Sequence, residues 1–225
     1  MARKLNRDKK LTKSLILHSA SKLFIENGYS NTHISHIASD AGITYNEVFR
    51  TCVDKENILC ELVGLVLEFQ FKETEKILKD ITNDKLYFYA FETTLQLHMA
   101  ESMEHIREMY IVSYSLPHSS KIIYKTITSK LEDVFKDYLP HSETKDFYEL
   151  EIASAGIMRG FITVPCDMYF TMDRKINRFI ETTFKLYDVP QSKILESIEF
   201  LKQFDFKKIS HNVISSLLTY LESNT

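Results

Sequence analysis

Apolar residues recur at intervals of three and four along nearly the whole of this 225-residue chain, and little interrupts them. It holds five glycines and four prolines, and Pro117, Pro140, Pro165 and Pro190 all lie in its second half. Ile58, Leu62, Leu65, Val66 and Phe69 stripe one segment, and Leu131, Val134, Phe135 and Tyr138 another. Ile209, Val213, Ile214, Leu217, Leu218 and Leu221 stripe a third. Each set falls on one face of a 3.6-residue helix, while the period-two alternation of strands is scarce. The chain reads as all-α. Helices are predicted over 8–27, 33–41, 44–51, 55–80, 84–103, 105–115, 119–138, 144–164, 173–187, 191–203 and 206–222. A hydrophobic content of 44% with 26% charged residues excludes a disordered chain.

Within this pattern the stretch from Leu11 to Leu59 has the spacings of a helix-turn-helix. Ile34, Ile37, Ala38 and Ala41 form one apolar stripe on a short helix, and Gly42 follows where the chain needs a left-handed residue. A second short helix, Thr44 to Thr51, sets polar and aromatic groups opposite Val48. Gly28 ends the preceding helix, and Thr32 is placed to cap the next. An exposed helix on a tight two-helix support is the geometry that enters the DNA major groove. Residues 1–55 are therefore expected to form a three-helix DNA-binding domain. Residues 56–225 are expected to form a larger helical domain.

The overall charge of −3 hides an asymmetry. Residues 1–55 carry nine Lys and Arg against five Asp and Glu, whereas the remainder carries 19 basic and 26 acidic residues. A basic head on an acidic body suits a polyanion bound at one end. The same charge run is also what a solvated tail looks like. Its position just before the helix-turn-helix favours the first reading.

These residues resemble the TetR/AcrR-type bacterial transcriptional regulators. The resemblance covers about the first sixty positions: Ile16, Ala20, Leu23, Phe24, Gly28-Tyr29, Thr32, Ile34, Ile37-Ala38, Ala41-Gly42-Ile43-Thr44, Val48-Phe49, Lys55-Glu56 and Leu59. Ile34, Ile37, Ala38, Ile43 and Val48 have packing roles. Thr44 either caps the recognition helix or meets a phosphate. Tyr45, Asn46 and Arg50 are the expected base contacts, through a thymine methyl, adenine and guanine respectively. Glu47 is left open between accepting from cytosine and pairing with Arg50 or Lys55. By resemblance Lys55 is a phosphate clamp; His33, Ser35 and the Arg3–Lys13 arm are further phosphate candidates, and Thr32 and Phe49 complete the DNA-facing set. Two positions depart from the family: Phe49 stands where Tyr is usual, removing a phenolic hydrogen bond to phosphate, and Cys52 stands where an aromatic is common.

Beyond residue 56 the resemblance implies dimerisation and uptake of a small-molecule effector. Aromatic residues and methionines are dense between Tyr87 and Phe161, with Gln96, His98, His105, Ser113 and Tyr114 interleaved. Apolar walls with a few polar groups describe a ligand cavity, though the same residues also suit a plain core. The expected pocket residues are Phe91, Leu95, His98, Met99, Met109, Tyr110, Tyr114 and Phe161. Gly156 and Gly160 leave a flat strip that permits close helix contact. With Ile152, Phe179 and Phe184 they form the expected dimer interface, the Ile209–Leu221 stripe being the competitor. The function so implied is a dimeric repressor released from a palindromic operator by its effector. An activator of the same fold, or a protein-interaction module with a degenerate helix-turn-helix, are the alternatives.

Other classes fit poorly. Cys52, Cys60 and Cys166 are isolated, and His33 and His36 share a helical face without further ligands, so no metal or cofactor is expected. No phosphate loop, nucleophile elbow or H-E-x-x-H motif points to an enzyme. No apolar run is long enough to span a bilayer and no leader pattern opens the sequence, so a cytoplasmic location without a membrane partner is expected.

Overall fold

A computed structural model describes the backbone of residues 2–224, and the side chains of residues 9–220 and 223. Its elements are α1 (Ala2–Asn27), α2 (Ile34–Asp40), α3 (Tyr45–Cys52), α4 (Lys55–Leu78), α5 (Lys85–Ser102) and α6 (Glu104–Ser115). There follow α7 (Pro117–Phe135), α8 (Thr144–Thr163), α9 (Met172–Leu186), α10 (Gln191–Leu201) and α11 (Phe206–Asn224). No strand occurs among the described residues. Every helix expected from periodicity is present. The largest difference is at α1, which begins six residues earlier, at Ala2; α7 begins at Pro117, whose missing N–H suits a first turn, and stops before Tyr138, which turns back to Phe135.

Local chemistry explains the boundaries near the N-terminus. Gly28 (φ 85°) and Gly42 (φ 66°) take left-handed conformations after α1 and α2. Asp54 caps α4 by accepting from Asn57 N–H. Val53 is the exception, a β-branched residue at φ 60° between α3 and α4, where no side-chain chemistry favours it.

α1, α2 and α3 pack on one another around Ile16, Ala20, Phe24, Ile37, Ala38, Val48 and Cys52, with Ile58 and Leu59 of α4 below. The larger part is organised on α5, whose residues Ala90–Leu97 are all buried. A helix enclosed all round must be a core helix, and α5 touches α4 and each of α6 to α11. α1 packs on α6 and α11 as well as α4, so the N-terminal helices rest on the body at several places.

Candidate nucleic-acid interface

The α3 helix is anchored at both ends and along one face. Thr44 Oγ1 accepts from Glu47 N–H, while the Glu47 carboxylate accepts from Thr44 N–H (2.8 Å) and from Thr44 Oγ1 (2.7 Å). These bonds from Thr44 hold the Glu47 carboxyl below its ordinary pKa. Of the two roles open to Thr44, capping is the one present. Neither Arg50 nor Lys55 forms an ion pair with Glu47, whose carboxylate closes the capping box. Val48 and Cys52 are buried against α1 and α4, which leaves the opposite face outward. Tyr45, Phe49 and Val53 are 52%, 52% and 56% exposed at four-residue spacing. Asn46 and Arg50 are exposed beside them, with Arg50 Nε donating to Asn46 O at 3.2 Å. His33 and Ser35 are exposed at the start of α2.

Two expected contact residues face inward. Thr32 is only 1% exposed, and its hydroxyl donates to Gly28 O (2.8 Å) and Leu23 O (3.2 Å). It closes the α1–α2 turn from within, His33 takes the N-cap position of α2, and no phosphate can reach it. Lys55 Nζ donates to Tyr29 O (2.8 Å) and Thr32 O (3.0 Å), and lies 4.1 Å from the centre of the Tyr29 ring. Burial lowers its pKa. The ammonium is committed to the turn's carbonyls and is not a free phosphate clamp. From the other side Glu108 of α6 accepts from Tyr29 N–H (3.1 Å) and Ser30 N–H (2.8 Å). Burial works against the Glu108 charge, yet the Ser30 and Tyr29 bonds outweigh it and keep the carboxyl below its usual range. Donors of the turn thus meet a carboxylate and acceptors an ammonium. Sequence alone missed the Glu108 half of this clamp, since nothing local links positions 79 residues apart.

The basic arm is only partly visible. The side chains of Arg3, Lys4 and Arg7 lie outside the described residues. Lys9 and Lys10 are exposed, whereas Lys13 is paired with Glu61 (2.7 Å) and Lys22 with Asp40 (2.8 Å). His33 and His36 sit 5.1 Å apart ring to ring, and no group of three metal-ligating side chains occurs among the described residues. No helix of the described residues is long and apolar enough to cross a membrane.

The expected pocket residues converge only in part: Met99, Met109 and Tyr110 share a cavity of 80 Å³, and the others lie apart from it. Phe91 packs on Phe204 and Phe206, and His98 stacks on Phe206, with burial lowering its pKa to about 4. Leu95 and Met99 are fully buried, and Phe161 packs on Phe179. Met109, Tyr110 and Tyr114 line a cavity of only 60 Å³. Larger spaces lie elsewhere: a cleft of 440 Å³ between α4, α5 and α7, lined by Phe71, Leu78, Phe88, Tyr89 and Glu92 among others, and beside it a more polar one of 660 Å³ between the start of α5 and the end of α7. The expected dimer residues also divide. Ile152, Gly156 and Gly160 share the outward face of α8, with open space beside both glycines. Phe179 and Phe184 are enclosed within the chain, because the apolar stripe of α9 packs inward, and they cannot meet a partner.

Residues 16–62 match the model of the bacterial regulatory proteins of the tetR family. No curated protein matches the chain in sequence. Among solved structures, RolR in complex with the ligand resorcinol is 16% identical, with a TM-score of 0.66 over 86% of this chain and 95% of that one. SmeT, the repressor of the Stenotrophomonas maltophilia multidrug efflux pump SmeDEF, is 17% identical, with a TM-score of 0.54 over 79% of this chain and 91% of that one. At these identities the likeness bears on the fold, which is shared well beyond the N-terminal helices. The family is one of regulators and not of enzymes. Through residues 16–62 the chain thus carries a segment that matches the N-terminal domain of the tetR family of bacterial regulatory proteins.

Proposed function

We propose that the protein is a homodimeric repressor that reads a palindromic operator with α3 and leaves it when a small effector enters the helices beyond residue 56. The observation that carries this reading is the outward face of α3: Tyr45, Asn46, Phe49 and Arg50 stand exposed on a helix whose cap and inner face are fully engaged. Asn46 and Arg50 have the donors for adenine and guanine edges, and Tyr45 and Phe49 offer apolar surface to thymine methyls. His33, Ser35, Lys9 and Lys10 are the phosphate candidates. The outward face of α8, with Ile152, Gly156 and Gly160, supports a two-fold contact that sets two α3 helices about 34–36 Å apart. Residues 1–55 then serve DNA and residues 56–225 serve the partner and effector. That RolR was solved with a ligand and SmeT is a repressor supports the ligand-released reading.

Selection of bound duplexes from a random pool tests it. The enriched sites should be inverted repeats, and Arg50→Ala should relax preference at one position per half-site, weakening the selected duplex by ~1–3 kcal/mol. Affinity should fall steeply with salt. Failure to retain any duplex at low ionic strength would remove the proposal.

A further inference from the structure

The 440 Å³ cleft between α4, α5 and α7 is large enough for a small organic ligand, and its walls are apolar and aromatic. One polar group stands apart from the rest of its lining. Glu92 of α5 is 5% exposed, and its Oε1 accepts from Gln96 Nε2 at 2.7 Å. No cation pairs with it among the described residues. Burial lifts its pKa to about 7, because a lone carboxylate is costly in such surroundings. Of the three lysines that line the cleft, Lys130 is the one whose charge reaches Glu92, yet its Nζ lies over Phe71, 3.9 Å from the ring centre. One aromatic wall is therefore already covered by an ammonium, as a bound cation would cover it. At the mouth Lys85 is neutralised by Asp133, and Glu75 and Asp84 add negative charge beside Lys79. An anionic ligand would meet Glu92 with only Gln96 bonded to it and no ion-paired cation between them.

We propose that this cleft binds an amphipathic organic cation, its apolar body against Phe71, Leu78, Phe88 and Tyr89 and its protonated nitrogen at the Glu92 carboxylate. The role of this cation as effector rests on the regulator reading above; its binding does not. Ligand entry releases the Glu92 proton to solvent and displaces Lys130 from Phe71. Several titratable groups lie near Glu92 on the packed helices. They are Tyr89 on α5, Tyr110 and Tyr114 on α6, Lys130 on α7, and Glu151 on α8, itself lifted to about 8 by burial. The pH test therefore includes a variant lacking the Glu92 charge.

Calorimetric titration of the full chain with 4-phenylbutylammonium, 4-phenylbutanol and 4-phenylbutyrate separates charge from shape. The ammonium should bind about tenfold or more tighter than the alcohol, and the carboxylate weakest of all. Its affinity should rise several-fold between about pH 6 and about pH 8, as Glu92 ionises. Glu92→Gln should abolish both the preference and the pH dependence while leaving the alcohol's affinity unchanged. Lys130→Met, a change at a partly exposed side chain, should tighten ammonium binding several-fold at the higher pH. Equal binding of alcohol and ammonium, an unaltered Glu92→Gln variant, or no binding of any probe would overturn the proposal. Anisotropy with the selected duplex on the same preparation keeps the two readings apart. Ammonium binding by a protein that retains no duplex even without ligand removes only the regulator reading; ammonium failure with intact duplex binding removes only this one.

Discussion

Gly28 is the position where the clamp on the α1–α2 turn can be measured. Its φ of 85° is left-handed, so an alanine there costs ~1–2 kcal/mol from backbone sterics alone. A Cβ would also fall inside contact distance of Glu108 Oε2 and 3.3 Å from His105 Cδ2. Glu108 must then withdraw from the N–H groups of Tyr29 and Ser30. Hydrogen bonds to a charged group are worth ~1.5–3 kcal/mol when well shielded. Glu108 is only partly buried, which reduces them to ~1 kcal/mol each. Gly28→Ala should therefore destabilise the protein by ~3–4 kcal/mol, and Glu108→Ala by ~2 kcal/mol. In the Glu108→Ala background the clash is absent, so Gly28→Ala should cost only the backbone part, ~1–2 kcal/mol. Urea unfolding by circular dichroism at one fixed protein concentration gives all four corners of the cycle. A coupling of ~1–2 kcal/mol is expected. Additivity within ~0.5 kcal/mol would show that Glu108 does not hold the turn.

Three further outcomes follow from the same geometry. Val53→Gly should raise stability by ~1 kcal/mol, the relief at φ 60° exceeding the extra chain entropy of glycine; a lower urea midpoint would refute the strain. Lys55→Met should lower stability by ~1–2 kcal/mol and leave the salt slope of duplex binding unchanged, since its ammonium is spent on Tyr29 O and Thr32 O; a slope shallower by about one charge would restore the phosphate role. Burial raises the carboxyl of Glu151 to about 8 and that of Glu92 to about 7, so the folded chain keeps protons that the unfolded chain has released. That stabilisation is complete below the ordinary glutamate range and is lost as pH climbs through these values, by roughly 3–5 kcal/mol per group. Glu151→Gln should flatten the decline seen in thermal unfolding between about pH 5 and about pH 8, and an unchanged profile would exclude Glu151 as a cause.

The bonds from Glu108 and Lys55 to the α1–α2 turn join residues far apart in the chain, beyond the reach of local sequence rules. The helices follow from local rules: the apolar stripes, Gly28 and Gly42 at left-handed turns, Pro117 in a first turn. The outward residues of α3 were equally accessible, because Val48 fixes which side faces the support and Tyr45, Asn46, Phe49 and Arg50 fall opposite. Thr32 and Lys55 carry the right chemistry for phosphate, and their removal from it depends on where Tyr29 O, Thr32 O and Gly28 O point.

Periodicity by itself determined that this chain is a set of helices with one short, two-faced helix ready to meet a nucleic acid, since hydrogen bonds within four residues and the apolar repeat need no distant partner. The tertiary structure alone decided which face of α9 is inward, so that Phe179 and Phe184 fill the core, and which interior space stays open beside Glu92. Aromatic and methionine residues look alike in a sequence whether they fill a core or line a cleft. Only the angle and separation of the packed helices leave a void at one place and close it at another.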